Sequence, residues 1–147
     1  MSEHRTTLTW QRGDTGFGYK EFTRAHSWQF PKSGQSLAAS AAVDYLGDAD
    51  AVDPEEAYTA SLASCHMLTF LAIASISGYV VDRYADEAVG FLEKGENGKP
   101  WLARVKLNPT VEFSGEKQPD ADALEKLHHK AHQECFLANS VKTVVEW

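Results

Sequence analysis

Between Glu56 and Asp82 the chain carries no Asp, Glu, Lys or Arg; residues 57–81 form one uncharged run of 25 residues. A run of that length fits either a bilayer or the interior of a folded protein. Thr59, Ser61, Ser64, His66, Thr69, Ser75 and Ser77 interrupt it, and alanine supplies much of its apolar count. We therefore expect the central buried helix of a soluble protein, with no membrane partner. The start is marked by Asp53-Pro54-Glu55-Glu56. Asp53 can cap, Pro54 suits the first turn, and Glu56 stands at capping-box spacing. Both glutamates complement the positive end of the helix. Gly78 supplies the stop. Met67–Ala74 is apolar nearly all round, which predicts that this half lies inside the protein.

The remaining elements follow from punctuation. Thr6–Trp10 places Leu8 and Trp10 on one face of a half-buried strand. After the Gly13–Gly16 turn a second strand is expected over Tyr19–Phe30, followed by a turn at Pro31–Gly34. Residues 37–47 are mostly small and receive no assignment. Val80–Lys94 reads as a strand region, and Asn97-Gly98 in the segment Gly95–Lys99 signals a hairpin. Trp101–Phe113 reads as the returning strand, with Pro109 marking an edge or irregularity. Asp120 or Asp122 opens a second helix to about Cys135, with Leu124, Leu127, Ala131 and Cys135 along one face. Val141–Trp147 closes as a strand. The order β-β-α-β-β-α-β predicts an α+β fold, antiparallel hairpins packed on two long helices. A length of 147 residues suits a single domain over 1–147.

Composition narrows the function. Hydrophobic residues make 43% and charged residues 24% of the chain, as in an ordinary globular protein. The net charge of −7 argues against a nucleic-acid partner. Two cysteines are too few for a disulfide scaffold. Met1–Arg5 leads into the first strand with no apolar leader, so a cytoplasmic, reducing setting is expected, where disulfides are mostly transient and catalytic.

Cys65 and Cys135 lie on the two helices. Each alone suits a small core hydrophobe; together they can form a reversible dithiol if the helices pack closely there. A reactive cysteine needs a cation to favour its thiolate. The run around Cys65 offers none, so Arg24 or Arg12 must supply it from elsewhere. His66 follows Cys65 but points about 100° away on a helix, which suits a core or interface residue better than a base. A rival reading uses His128, His129, His132 and Cys135 on the second helix, where i,i+4 and i,i+3 spacings can share a face as metal ligands do. Cys65 could join them, giving a metal- or small-ligand-binding protein without turnover. A solvated helix face that happens to carry histidines is the simpler reading, and no CxxC or HExxH element accompanies the set. No cofactor is implied.

Asp53-Pro54-Glu55-Glu56 with Ala60–Met67, and Ala131–Ser140 around the second cysteine, resemble the two cysteine segments of the OsmC/Ohr family of hydroperoxide reductases. The ten-residue offset from Glu55 to Cys65 matches, and so does the element order over nearly the whole chain. Two positions depart from the family's usual residues: His66, where phenylalanine is common, and Phe136, where proline often follows the cysteine.

The resemblance implies the OsmC-like fold as an intertwined homodimer that reduces organic hydroperoxides and is regenerated by an external dithiol. It implies that Cys65 is peroxidatic, Cys135 resolving, Glu55 the acidic partner and Arg24 the arginine, with Arg12 the second choice. On a continuous helix Glu55 would stand about 15 Å from Cys65 along the axis. A shared site then needs a helix break, a long arginine bridging the gap, or Glu55 from the other subunit.

Overall fold

A reciprocal cap begins the long helix. Asp53 Oδ1 accepts from the backbone N–H of Glu56 at 2.8 Å, and Glu56 Oε2 accepts from the N–H of Asp53 at 3.3 Å. The helix then runs unbroken over Pro54–Ile76, and Gly78, at φ +80°, ends it in the left-handed region. These features come from a computed structural model that describes all residues from Met1 to Trp147. The chain divides into two compact units, Met1–Ala57 and Tyr58–Trp147, with the division in the helix's first turn. Each unit is described by itself.

In the first unit, β1 (Thr7–Thr9), β2 (His26–Phe30) and β3 (Gln35–Ala39) form an antiparallel sheet in chain order. The strand expected over Tyr19–Phe30 is realised only from His26. Its apolar residues before that point serve an aromatic cluster: Phe22 packs 5.3 Å from Phe17 and 6.2 Å from Trp10, centroid to centroid. Trp10 Nε1 donates to the Thr23 carbonyl at 2.8 Å, which ties the intervening loop to the end of β1. The turn after Phe30 leads into β3. Gln35-Ser36-Leu37-Ala38-Ala39 has neither aromatic nor β-branched residues, so strand propensity gave little notice of it.

The second unit begins in the long helix, α1 (Pro54–Ile76), and contains two sheets. β4 (Val80–Asp86) pairs antiparallel with β7 (Pro109–Ser114). β5 (Val89–Lys94) pairs antiparallel with β6 (Pro100–Lys106), and β8 (Val144–Glu146) adds to β6 in parallel. Two expectations are thereby corrected. Val80–Lys94 and Trp101–Phe113 are each two strands in different sheets, and the last pairing is parallel. The switches fall together: Asp86 is opposite Pro109, and Asp86 Oδ1 accepts from the N–H of Asn108 at 2.7 Å. Helix α2 (Ala121–Glu134) starts on Asp120, whose Oδ1 accepts from the N–H of Ala123 at 2.8 Å.

Two clusters form the core of this unit. Leu62 of α1 packs with Val105, Leu107 and Val145. Farther along α1, Phe70 and Ala74 pack with Leu127 and Ala131 of α2, flanked by Tyr84, Val111 and Phe113. α1 passes so close to β5 that a Cβ on Gly90 would lie 2.3 Å from Thr59 Oγ1.

The buried residues of α1 are Thr59, Leu62, His66, Phe70 and Ala74, a single stripe at helical spacing. The rest of this apolar helix is not enclosed: Leu68 is 60% and Ile76 88% exposed. By length and composition α1 could cross a membrane, and 28% of its most apolar window is buried within the chain. The expectation that the Met67–Ala74 segment lies inside therefore holds for one face only, because this chain covers one stripe of a helix that is apolar all round.

Candidate functional site

The structure brings the two cysteines together. Cys65 lies mid-helix on α1, and Cys135 is the residue at which α2 ends. The Cys135 thiol donates to Cys65 Sγ across 2.7 Å; both are free cysteines. Leu127, Ala131 and Cys135 share the buried side of α2, as the spacing predicted, with Leu124 partly buried beside the same cluster. The pair is asymmetric. Cys135 is 1% exposed, whereas Cys65 is partly open. Burial pushes the Cys135 thiol pKa up, and donation to Cys65 adds to the shift. Cys135 therefore keeps its proton while Cys65 is the sulfur a reagent can reach.

The histidines divide differently from the helix-face expectation. His66 and His128 are both buried, and His66 Nε2 lies 3.0 Å from His128 Nδ1, a hydrogen bond from α1 to α2. Burial, with the nearby His128 and His132, lowers the His66 pKa to about 4; burial also lowers that of His128. His129 is exposed and pairs with Glu125 at 3.2 Å. Trp147 packs against His66, His128, His129 and His132 at centroid distances of 5.1–6.1 Å. No group of three or more His, Cys, Asp or Glu side chains is arranged to hold a metal ion. The spacing on α2 suggested an intrahelical His128/His132 pair, but His128 instead turns to the other helix.

The charged candidates lie in the first unit. Arg24 donates to the carbonyls of Phe22 and Tyr19, and its guanidinium stacks 3.7 Å from the Phe22 ring centre. Glu55 is half-buried in the first turn of α1. Because α1 is unbroken from Pro54 to Ile76, a helix break between Glu55 and Cys65 is ruled out. Arg12 is exposed in the loop after β1, and its carbonyl accepts from Thr15.

Arg24 also borders an apolar cavity of about 420 Å³ within this unit, walled chiefly by Trp10, Phe17, Phe22, Ala41 and Pro54. The sequence reading named no such cavity. Its sequence signal is the density of aromatic residues between Trp10 and Phe22, of which Trp10 and Phe22 belong to the expected strands.

An α+β frame with two helices that present facing thiols, one open and one buried, defines a class of dithiol proteins. The chain belongs to the OsmC family: the model of the OsmC-like protein family matches residues 47–147. No curated protein matches the sequence significantly. Among solved structures, an OsmC-like protein of unknown function from Vibrio cholerae is 46% identical, with a TM-score of 0.94 over 99% of this chain and 97% of that one. An organic hydroperoxide resistance protein from Elizabethkingia anophelis shares the fold at 17% identity and a TM-score of 0.74, covering 99% of this chain and 92% of that one. The organic hydroperoxide resistance protein OhrB of Bacillus subtilis does so at 18% and 0.65, covering 97% and 95%.

Proposed function

We propose that this protein is a cytoplasmic, thiol-dependent peroxidase that reduces organic hydroperoxides to alcohols. The observation that carries this reading is the 2.7 Å approach of Cys135 to the more accessible Cys65. The Cys65 thiolate attacks the terminal oxygen of ROOH. The O–O bond breaks, RO⁻ takes a proton and leaves as ROH, and Cys65 becomes a sulfenic acid. Cys135 sulfur then attacks Cys65 sulfur. The S–O bond breaks, and the thiol proton leaves with the hydroxyl as water. An external dithiol returns both cysteines to thiols by exchange.

Family membership supports the reading, as does the shared fold of proteins named for organic hydroperoxide resistance. Arg24 and Glu55 keep the roles the resemblance gives them: Arg24 favours the thiolate and the developing charge on the leaving oxygen, and Glu55 orients Arg24.

The working form in this proposal is a homodimer. The uncovered apolar side of α1, with Leu68 and Ile76, gives a second copy of the chain a surface to bury.

The test is turnover of cumene hydroperoxide and hydrogen peroxide with dithiothreitol as reductant. Wild type should consume the organic peroxide faster. Cys65→Ser should abolish consumption, and Arg24→Ala should slow it by about a hundredfold. A Cys65→Ser protein as active as wild type would overturn the proposal.

A further inference from the structure

Two tethers join α1 to α2 within the second unit. One is the thiol pair itself. The other is the bond from His66, the residue after Cys65, to His128, which lies seven residues before Cys135. Seven residues are two helical turns, about 10.5 Å along α2, and return to the same face. Both ends of that span are buried: His128 is 4% and Cys135 1% exposed.

The imidazole tether is tightly enclosed. The His66 and His128 rings are stacked, 10° from parallel, with centroids 5.4 Å apart. Phe70, one turn after His66, packs 4.5 Å from the His128 ring. Trp147 covers both imidazoles from the end of the chain, 5.5 Å from His66 and 6.1 Å from His128. The bond satisfies His66 Nε2 and His128 Nδ1, one donating N–H and the other accepting with its lone pair, while His66 Nδ1 is buried without a partner. Replacing either by an apolar group leaves the other buried without that partner.

We propose that His66 and His128 are positioning residues for the cysteine pair, their hydrogen bond fixing α2 on α1 so that Cys135 Sγ meets Cys65 Sγ. The apolar packing of Phe70 and Ala74 on Leu127 and Ala131 holds α2 to α1 without directional preference, so the thiol contact alone leaves small shifts along that surface. A second contact two turns away removes that freedom and raises the effective concentration of one thiol at the other. The proposal builds on the redox role given to the cysteines above, but its test needs no hydroperoxide.

The titratable and charged groups around the tether are few. His132 and Glu125 of α2 act on it electrostatically, His129 pairs with that glutamate outside, and Cys65 is its neighbour on α1. Tyr84 of β4 approaches through the Phe70 ring, and Trp147 offers a neutral indole. Above the ordinary imidazole range the tether is a neutral pair. Acid protonates it and weakens the alignment.

The experiment equilibrates reduced protein with glutathione disulfide near neutral pH. Protein dithiol and glutathione disulfide give protein disulfide and two molecules of glutathione, and the equilibrium position measures the effective concentration of Cys135 at Cys65. His66→Leu and His128→Leu should each lower it by about tenfold, and the double variant should lower it no further. His66→Gln, whose carboxamide can still bond His128, should recover most of the loss. Val111→Ala, which loosens the same core from the β7 side, should leave the value unchanged. If a leucine variant does not fold, His128→Phe fills the volume and serves in its place.

Equal values in wild type and all imidazole variants would overturn the proposal, as would equal losses in Val111→Ala and the imidazole variants. A wild type that forms no internal disulfide with glutathione would overturn it too, together with the redox role of the cysteines. A wild type that forms the disulfide, shows the variant pattern and yet leaves cumene hydroperoxide intact supports the tether while removing the peroxidase.

Discussion

The sulfurs of Cys65 and Cys135 face each other across 2.7 Å from two helices, yet only Cys65 is open to reagents. One thiol can be attacked and the other waits behind it with its proton held by burial. In the proposed cycle this asymmetry sets the order: the outer sulfur reacts first and the inner one closes the disulfide.

That order predicts unequal alkylation. In reduced, folded protein, iodoacetamide should modify Cys65 at least about tenfold faster than Cys135, read by peptide mass after timed quenching. In urea the two rates should converge. Equal rates in the folded protein would show that burial does not separate them.

Stability should fall in mild acid. His66 has a pKa of about 4 in the folded protein against an ordinary value of 6.5. The unfolded chain therefore binds a proton that the folded one refuses, and the stability lost accumulates as pH falls from 6.5 toward 4. The lowered pKa of His128 acts in the same direction. Urea midpoints measured across this window should decline, and His66→Leu should flatten the decline. A wild-type midpoint that is level from neutral pH to pH 4 would contradict the buried neutral pair.

Gly90 is required by the passage of α1 over β5. A methyl group there meets Thr59 Oγ1 at 2.3 Å. Gly90→Ala should cost about 1–3 kcal/mol in urea unfolding. Thr59→Ala in the same chain should return part of that loss, so the double variant should be less destabilised than the sum of the singles.

The uncovered side of α1 predicts self-association. Wild type should sediment as a dimer, and a variant carrying both Leu68→Asp and Ile76→Asp should sediment as a monomer, because two carboxylates cannot be buried unpaired against a second copy. A wild-type monomer at micromolar concentration would remove the homodimer from the account.

What was legible in the sequence is what local chemistry controls. The Asp53–Glu56 cap, the Gly78 stop, an α2 start at Asp120 or Asp122 (Asp120 in the structure) and the buried side of α2 all depend on local spacing along the chain. The sheet switches at residues 87–88 and 107–108 were legible only as the irregularity at Pro109: Asp86-Glu87-Ala88 and Asn108-Pro109 are poor strand formers, but the change of partner is a tertiary event. β3 was missed because small residues carry little strand signal. The two cysteines stood out as candidates by residue type and helix placement, but their meeting depends on how α1 and α2 pack. The His66–His128 bond was hidden for the same reason: spacing along α2 pointed to a partner on that helix, and the actual partner is on α1.

The most direct test of the account starts from fully reduced protein held without oxygen or reductant. One equivalent of cumene hydroperoxide is added, and free thiols and intact mass are read before and after. The account predicts rapid loss of both thiols, a mass lower by two hydrogens and a Cys65–Cys135 peptide link. Two thiols that survive with the mass unchanged would contradict it.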